Sequence, residues 1–213
     1  MKVAVQNNAK VLALFAIACT ALVSVVNWLT KDTIIRQQQQ QLLSTLYDVI
    51  PAERLNNDLY HDCQVIAGND YLGGDDEQMA YIARMDNMPV AVAITSAAPD
   101  GYNGKIKLIV ALNVDGSVSG VRVLKHQETP GLGDKIETRK NDWIYGFNGK
   151  TVEAENDLRW AVKKDGGMFD QFTGATITPR AVVKAVKNTA LYFNKNKDSI
   201  LSAQTSTCRD NND

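Results

Sequence analysis

The sequence predicts a membrane-anchored α+β protein, with one N-terminal transmembrane helix followed by an antiparallel-sheet domain with flanking helices. Three observations carry this reading. Residues 11–30, VLALFAIACTALVSVVNWLT, hold no charged side chain. Two pairs of strand-like runs, each broken by a short Asp/Asn/Gly turn, fill the stretch from Met79 to Leu124. From Pro179 to Asn194, apolar residues recur at helical spacing.

At about 1.5 Å of rise per residue, residues 11–30 reach roughly 30 Å, the thickness of a hydrocarbon core. A signal peptide has a shorter apolar region, about 7 to 15 residues, closed by an Ala-x-Ala-like site. No such site precedes Thr30, so an uncleaved anchor is expected. Lys2 and Lys10 precede the span, whereas Lys31 and Asp32 beyond it cancel. The positive-inside rule then puts the N-terminus in the cytoplasm and residues 31–213 on the other side. Asn27 and Trp28 suit the outer interface.

From Lys31 to Ile50 the helical pattern continues through Ile34, Ile35, Leu42, Leu43, Leu46 and Val49 around the polar run RQQQQQ, and Pro51 stops it. The expected organisation is therefore a stub and anchor over 1–30, a juxtamembrane helix over 31–50, a domain over 51–202 and a polar tail over 203–213.

Met79–Arg84 and Val90–Ser96 flank Asp86-Asn87, and Lys105–Asn113 and Ser117–Leu124 flank Asp115-Gly116. Both pairs read as β-hairpins. In the second, Ile106, Leu108, Val110 and Leu112 alternate with mixed residues, which puts one face on a core. The stretch HQETPGLGDKIETRKNDW, residues 126–143, then reads as a Gly/Pro loop opening onto a short helix. A second glycine-rich stretch, KKDGGMFD, leads into DQFTGATITP at residues 170–179. In the final helix Val182, Val183, Val186, Ala190 and Phe193 share a face opposite Lys184, Lys187 and Asn188. Thr178 is expected as its N-cap, with Pro179 at the first helical position.

Composition excludes several classes of function. With 23 Lys and Arg against 24 Asp and Glu in 213 residues, no nucleic acid or strongly anionic partner is implied. His61 and His126 are the only histidines and no Cys-x-x-Cys pair occurs, so neither a zinc nor a haem site is indicated. GLGDK at 131–135 lacks the P-loop spacing, and no nucleophile elbow serves a Ser-His-Asp triad. Cys19 lies in the span. Cys63 and Cys208 are the two thiols of the exported part, and a disulfide between them is expected.

What remains is a helix N-terminus, a natural anion site, preceded by three threonines, Thr173, Thr176 and Thr178, around Gly174 and Ala175. Asp170-Gln171-Phe172-Thr173-Gly174-Ala175-Thr176 resembles the flavinylation motif Asp-x-x-Ser/Thr-Gly-Ala-Thr/Ser of FMN-binding domains. Together with ETPGLG at 128–133, GYNGKI at 101–106 and the anchor, it makes the whole chain resemble the RnfG family, the G component of the Rnf (Rsx) ion-translocating electron-transport complexes.

The resemblance implies an α+β FMN-binding domain on the outer side of a bacterial inner membrane, relaying electrons among other membrane subunits of an Rnf complex that links ferredoxin and NAD. It implies FMN joined by a flavin transferase through a phosphodiester to Thr176. It also implies a flavin pocket lined by Thr173, Gly174, Ala175 and Thr176 together with Glu128, Thr129, Gly131, Leu132 and Gly133, with Lys164 as a counter-charge. No side-chain acid or base is called for, and the protein is not expected to be catalytic alone. On the residues themselves, the competing readings are an exposed loop carboxylate for Glu128, tight turns for the glycines and a solvated loop lysine for Lys164, while Trp143 and Trp160 read as core or interface. Three alternatives remain open: a non-redox scaffold of a membrane complex, a stand-alone anchored flavoreductase, and the C component of the related sodium-pumping NADH:quinone reductase, which has the same flavin motif. The short chain favours Rnf over the last.

Overall fold

The structure, a computed structural model, describes residues 2–202. Two compact units divide at Ser44/Thr45. The first consists of helix α1 (Lys2–Val49) up to Ser44. By length and composition this helix can cross a membrane, and the apolar window that qualifies it is unburied, as fits a single-pass membrane protein. Thr20 and Thr30 donate their hydroxyls to the carbonyls of Ala16 and Val26 at 2.8 Å, so neither polar group is left unpaired in an apolar surround. The helix ends where Pro51 requires it to, because the residue before a proline is steered out of the α region. Ile50 still closes a last bond to Leu46 O at 2.9 Å.

The second unit is built on a five-stranded antiparallel sheet of β1 (Cys63–Ile66), β2 (Gln78–Met85), β3 (Met88–Ala98), β4 (Ile106–Asn113) and β5 (Val118–Lys125), paired in sequence order. The β2–β3 turn is Asp86-Asn87, with φ of 51° and 66°, the left-handed pair that a two-residue hairpin loop matching strand twist requires. At the β4–β5 turn Gly116 N donates to Asn113 O, and Asn113 N to Ser117 O, both at 2.8 Å. Both predicted hairpins are therefore present. The sequence pattern did not reveal β1, a four-residue edge strand too short to show alternation.

One face of the sheet carries Ile82, Val92, Ile94, Ile106, Leu108, Val110 and Leu112. Against it lies α2 (Ile177–Ser202), which packs on β3, on the 3₁₀ turn Asp70–Leu72 and on β4, with Val182, Val186 and Phe193 fully buried. The other face carries a patch of small residues, Ala83, Ala91, Ala93 and Ala111 with Gly120 on β5, beside the larger Tyr81, Ile109 and Arg122. That flatness admits the last turn of α1, whose Leu46 and Val49 are buried. Ser119 Oγ donates to Val49 O at 2.7 Å and Arg122 Nη2 to Asp48 O at 3.2 Å, so β5 supplies donors to carbonyls that a helix C-terminus leaves open.

Residues 133–147 form two 3₁₀ turns, Gly133–Ile136 and Asp142–Phe147, in place of the single short helix expected there. Each is terminated by a residue in extended or non-helical conformation, Glu137 and Asn148. Cys63 is buried and disulfide-bonded; its expected partner Cys208 lies outside the described residues.

A Cβ at Gly120 would sit 3.0 Å from Val49 Cα and 3.1 Å from Val49 Cβ. Gly120→Val should therefore overpack this contact and cost about 1–3 kcal/mol, lowering the thermal unfolding midpoint in detergent. Gly146→Ala, where a Cβ meets nothing within 4 Å, should change stability by no more than about 0.5 kcal/mol.

Candidate functional site

The segment 170–176 is partly exposed chain mounted on a rigid base. Phe169 and Phe172 on either side of its first residues are buried in an aromatic cluster. Phe169 lies 4.4 Å from Phe147 and 5.3 Å from Trp160, and Phe172 lies 5.0 Å from Trp143, ring centre to ring centre. Trp143 Nε1 donates to Asp170 O at 2.8 Å and Trp160 Nε1 to Thr151 O at 3.0 Å, so both tryptophans serve the core and its edge. Lys163 pairs with the Asp170 carboxylate at 2.6 Å. Arg180 grips Asp165 with two bonds of 2.6 Å, fastening the preceding glycine-rich loop to the first turns of α2.

Between Phe172 and Ala175 the chain reverses. Ala175 N donates to Phe172 O at 3.1 Å, and Gly174 takes φ 80°, the positive value that such a turn demands at its third residue. Thr173 is exposed on this turn. Thr176 is half-buried and directly precedes the first residue of α2.

This placement corrects the expected role of Thr178. The helix begins two residues earlier than predicted, because neither Thr178 nor Pro179 needs an intrahelical N–H partner in the first turn. Thr178 is thus inside the helix, 1% exposed, and its hydroxyl donates to Glu128 Oε2 in a short hydrogen bond. Thr176 takes the N-cap position instead. Among the described residues nothing hydrogen-bonds to the Thr176 hydroxyl.

Glu128 is likewise not the exposed loop carboxylate its surroundings in sequence indicate. It is 5% exposed. Oε1 accepts from Asn103 N at 3.2 Å, and Oε2 accepts from Thr178. The chain around it is correspondingly tight: a Cβ at Gly101 would approach Glu128 Oε1 to 3.0 Å, and one at Gly133 would approach Glu128 Oε2 to 2.9 Å and Thr178 Oγ1 to 2.8 Å. One carboxylate therefore joins the 101–103 turn, the 128–133 loop and the start of α2.

The three segments enclose a cavity of about 370 Å³, within the range of small-molecule sites. Of the residues singled out in the sequence, Glu128, Thr129, Leu132, Gly133, Gly174, Ala175 and Thr176 line it. Thr173 and Gly131 shape the adjoining turns without lining it, and Lys164 is exposed on the 3₁₀ turn Lys163–Asp165, its backbone N donating to Gln171 Oε1 at 3.3 Å. Tyr102, Ile177 and Thr178 complete the wall. Sequence reasoning did not assign them to the site. The signal for Tyr102 was its place inside GYNGKI, and for the other two their place just after the motif.

An FMN-binding domain model matches residues 101–190, and a model described as the RnfG N-terminal region matches residues 1–49. Three similar proteins are named as the G component of an ion-translocating oxidoreductase complex. One from Shewanella loihica is 54% identical over 95% of each chain. One from Shewanella baltica is 53% identical over all of both chains, and one from Vibrio atlanticus is 53% identical over 96% of this chain and 97% of that one.

Thr178→Val keeps the shape of the side chain but leaves the buried Glu128 carboxylate short of a donor. It should cost about 1–3 kcal/mol, read as a lower thermal midpoint, whereas Thr178→Ser should stay close to the native value.

Proposed function

The chain belongs to the RnfG family of ion-translocating oxidoreductase complexes, and from that premise we propose that it is the electron-relay subunit of such a membrane-bound complex, carrying FMN esterified to Thr176. The observation that carries the reading is the unengaged Thr176 hydroxyl at the N-cap of a 26-residue helix, on the wall of the cavity. When bound, FMN supplies one-electron steps between partners that exchange electrons singly or in pairs.

The residues fit that group. The positive end of α2 favours a phosphate, and an ester on Thr176 puts it at a helix start where Ile177 and Thr178 carry backbone N–H groups and Pro179 carries none. Gly174 and Ala175 bring no bulk to the approach to Thr176. Tyr102, Leu132 and Ile177 are 66%, 40% and 44% exposed around the cavity, an apolar mouth suited to a flat ring system. Thr173 and Gly131 hold the turns that present these residues, and Lys164 adds positive charge to the neighbouring loop. Tethering keeps the cofactor at an effective concentration on the order of millimolar or more, which matters where a free flavin would be lost by dilution.

The relay is proposed to face the periplasm of a bacterial inner membrane, with residues 1–30 as stub and anchor, 31–50 as stem, 51–202 as the flavin domain and 203–213 as tail. Lys2 and Lys10 before the span support this orientation. The other subunits of the complex are its partners, and a flavin transferase matures it. Protease added to spheroplasts should digest the chain beyond Lys31; protection equal to that of cytoplasmic markers would reverse the topology.

Peptide mass spectrometry tests the attachment. The native protein should carry FMN on Thr176, Thr176→Ser should keep covalent flavin, and Thr176→Ala should lose it while the domain stays folded. FMN found on Thr173 or Thr178, or retained in Thr176→Ala, would refute the assignment.

A further inference from the structure

His126 follows the last residue of β5, with its side chain 13% exposed. Its Nδ1 accepts the Glu128 amide at 3.1 Å, and its Nε2 lies 2.8 Å from Glu137 Oε1. A ring nitrogen that accepts from an amide carries no proton, so the proton is on Nε2 and is donated to Glu137. Hydrogen bonds from His126 and then from Arg139 hold the Glu137 carboxyl below the ordinary carboxylate range. Glu137 therefore remains an acceptor whenever His126 is neutral, and the tautomer is fixed from both sides.

The charged groups around the ring are few. Glu137 receives Nε2–H and is backed by Arg139 at 2.9 Å. Asp134 and Lys140, 3.7 Å apart, line with His126 and Glu128 a second cavity of about 470 Å³. Lys125 precedes the ring on β5 and faces Lys107 of β4. None of these other groups offers a bond to Nδ1, which belongs to the Glu128 amide alone among the described residues.

We propose that His126 is a positioning residue of the flavin pocket, neutral at Nδ1 when the pocket is ordered, and that protonation there releases the Glu128 amide and loosens the loop that carries Glu128. This rests on the flavin reading of the pocket. Protonation removes the lone pair used by the amide and sets two N–H groups against each other, so the backbone at Glu128 has to move. That residue joins the 101–103 turn to the start of α2 through its carboxylate, so the displacement reaches the wall of the cavity. The ordered form belongs to the ring with a bare Nδ1 and is lost when that nitrogen takes a proton.

The test uses the full-length protein in detergent, labelled with ¹⁵N at histidine and glutamate and titrated over about pH 5 to 8, where histidines change charge. The Glu128 amide resonance should shift with the same midpoint as the His126 ring nitrogens, and the visible spectrum of the bound flavin should show a step at that midpoint. In His126→Asn, whose Oδ1 keeps an acceptor for the amide but does not titrate, both steps should be lost and the spectrum should hold its high-pH form. A Glu128 amide that ignores the ring titration, or a spectral step that persists in His126→Asn, would overturn the proposal. Should the native protein carry no flavin, the reading of the pocket fails, while the amide titration still decides the role of His126.

Discussion

Three segments that wall the cavity meet at the Glu128 carboxylate. Burying an ionised carboxylate is costly unless its oxygens are bonded, and here each oxygen takes a donor from a different segment, Asn103 N and the Thr178 hydroxyl. The start of α2 adds its positive end. Because both oxygens are committed, the three segments cannot shift independently. Gly133 is a consequence of the same contact, since a Cβ there would press on both Thr178 Oγ1 and Glu128 Oε2, whereas Gly101 is required first by the Gly104 carbonyl, 2.2 Å from where its Cβ would sit.

The parts of the fold that could be read from the sequence were those set by local chemistry. Asp86-Asn87 announces a left-handed turn with no help from the rest of the chain, and the alternation of Ile106 to Leu112 marks the face that joins the main core. The helix of residues 179–194 was legible from its spacing. β1 was not, because four residues carry no periodic signal and the strand exists by virtue of its pairing with β2. The 3₁₀ turns between Gly133 and Phe147 were read as one helix because a local pattern of polar and apolar residues does not distinguish the tighter winding.

The candidate site was legible as a set of segments but not as a set of roles. The motif at 170–176 and ETPGLG at 128–133 do meet at the cavity. For Glu128 the competing local reading, a solvated carboxylate next to Thr-Pro-Gly, fails because its burial depends on Asn103 and Thr178, respectively 25 and 50 residues away. Thr178 was misread for the complementary reason: a threonine before proline is a good cap by local rules, but a buried acceptor outbids a helix end for its hydroxyl. Tertiary partners, invisible in one sequence, decided both.

That reassignment changes how the three threonines relate to one another. With Thr178 engaged by Glu128 and Thr173 exposed on the turn, the helix start falls to Thr176, the position where an oxygen is wanted by first-turn amides. A phosphate ester at Thr176, whose hydroxyl has no hydrogen-bond partner among the described residues, puts negative charge where the helix end favours it. Modifying this residue therefore need not disturb the helix it precedes. A modification at Thr178 would instead force a phosphate into a buried contact and break the bond that closes the cavity. The burial of one hydroxyl and the availability of the other are two results of the same carboxylate contact, which both shapes the pocket and leaves one threonine accessible within it.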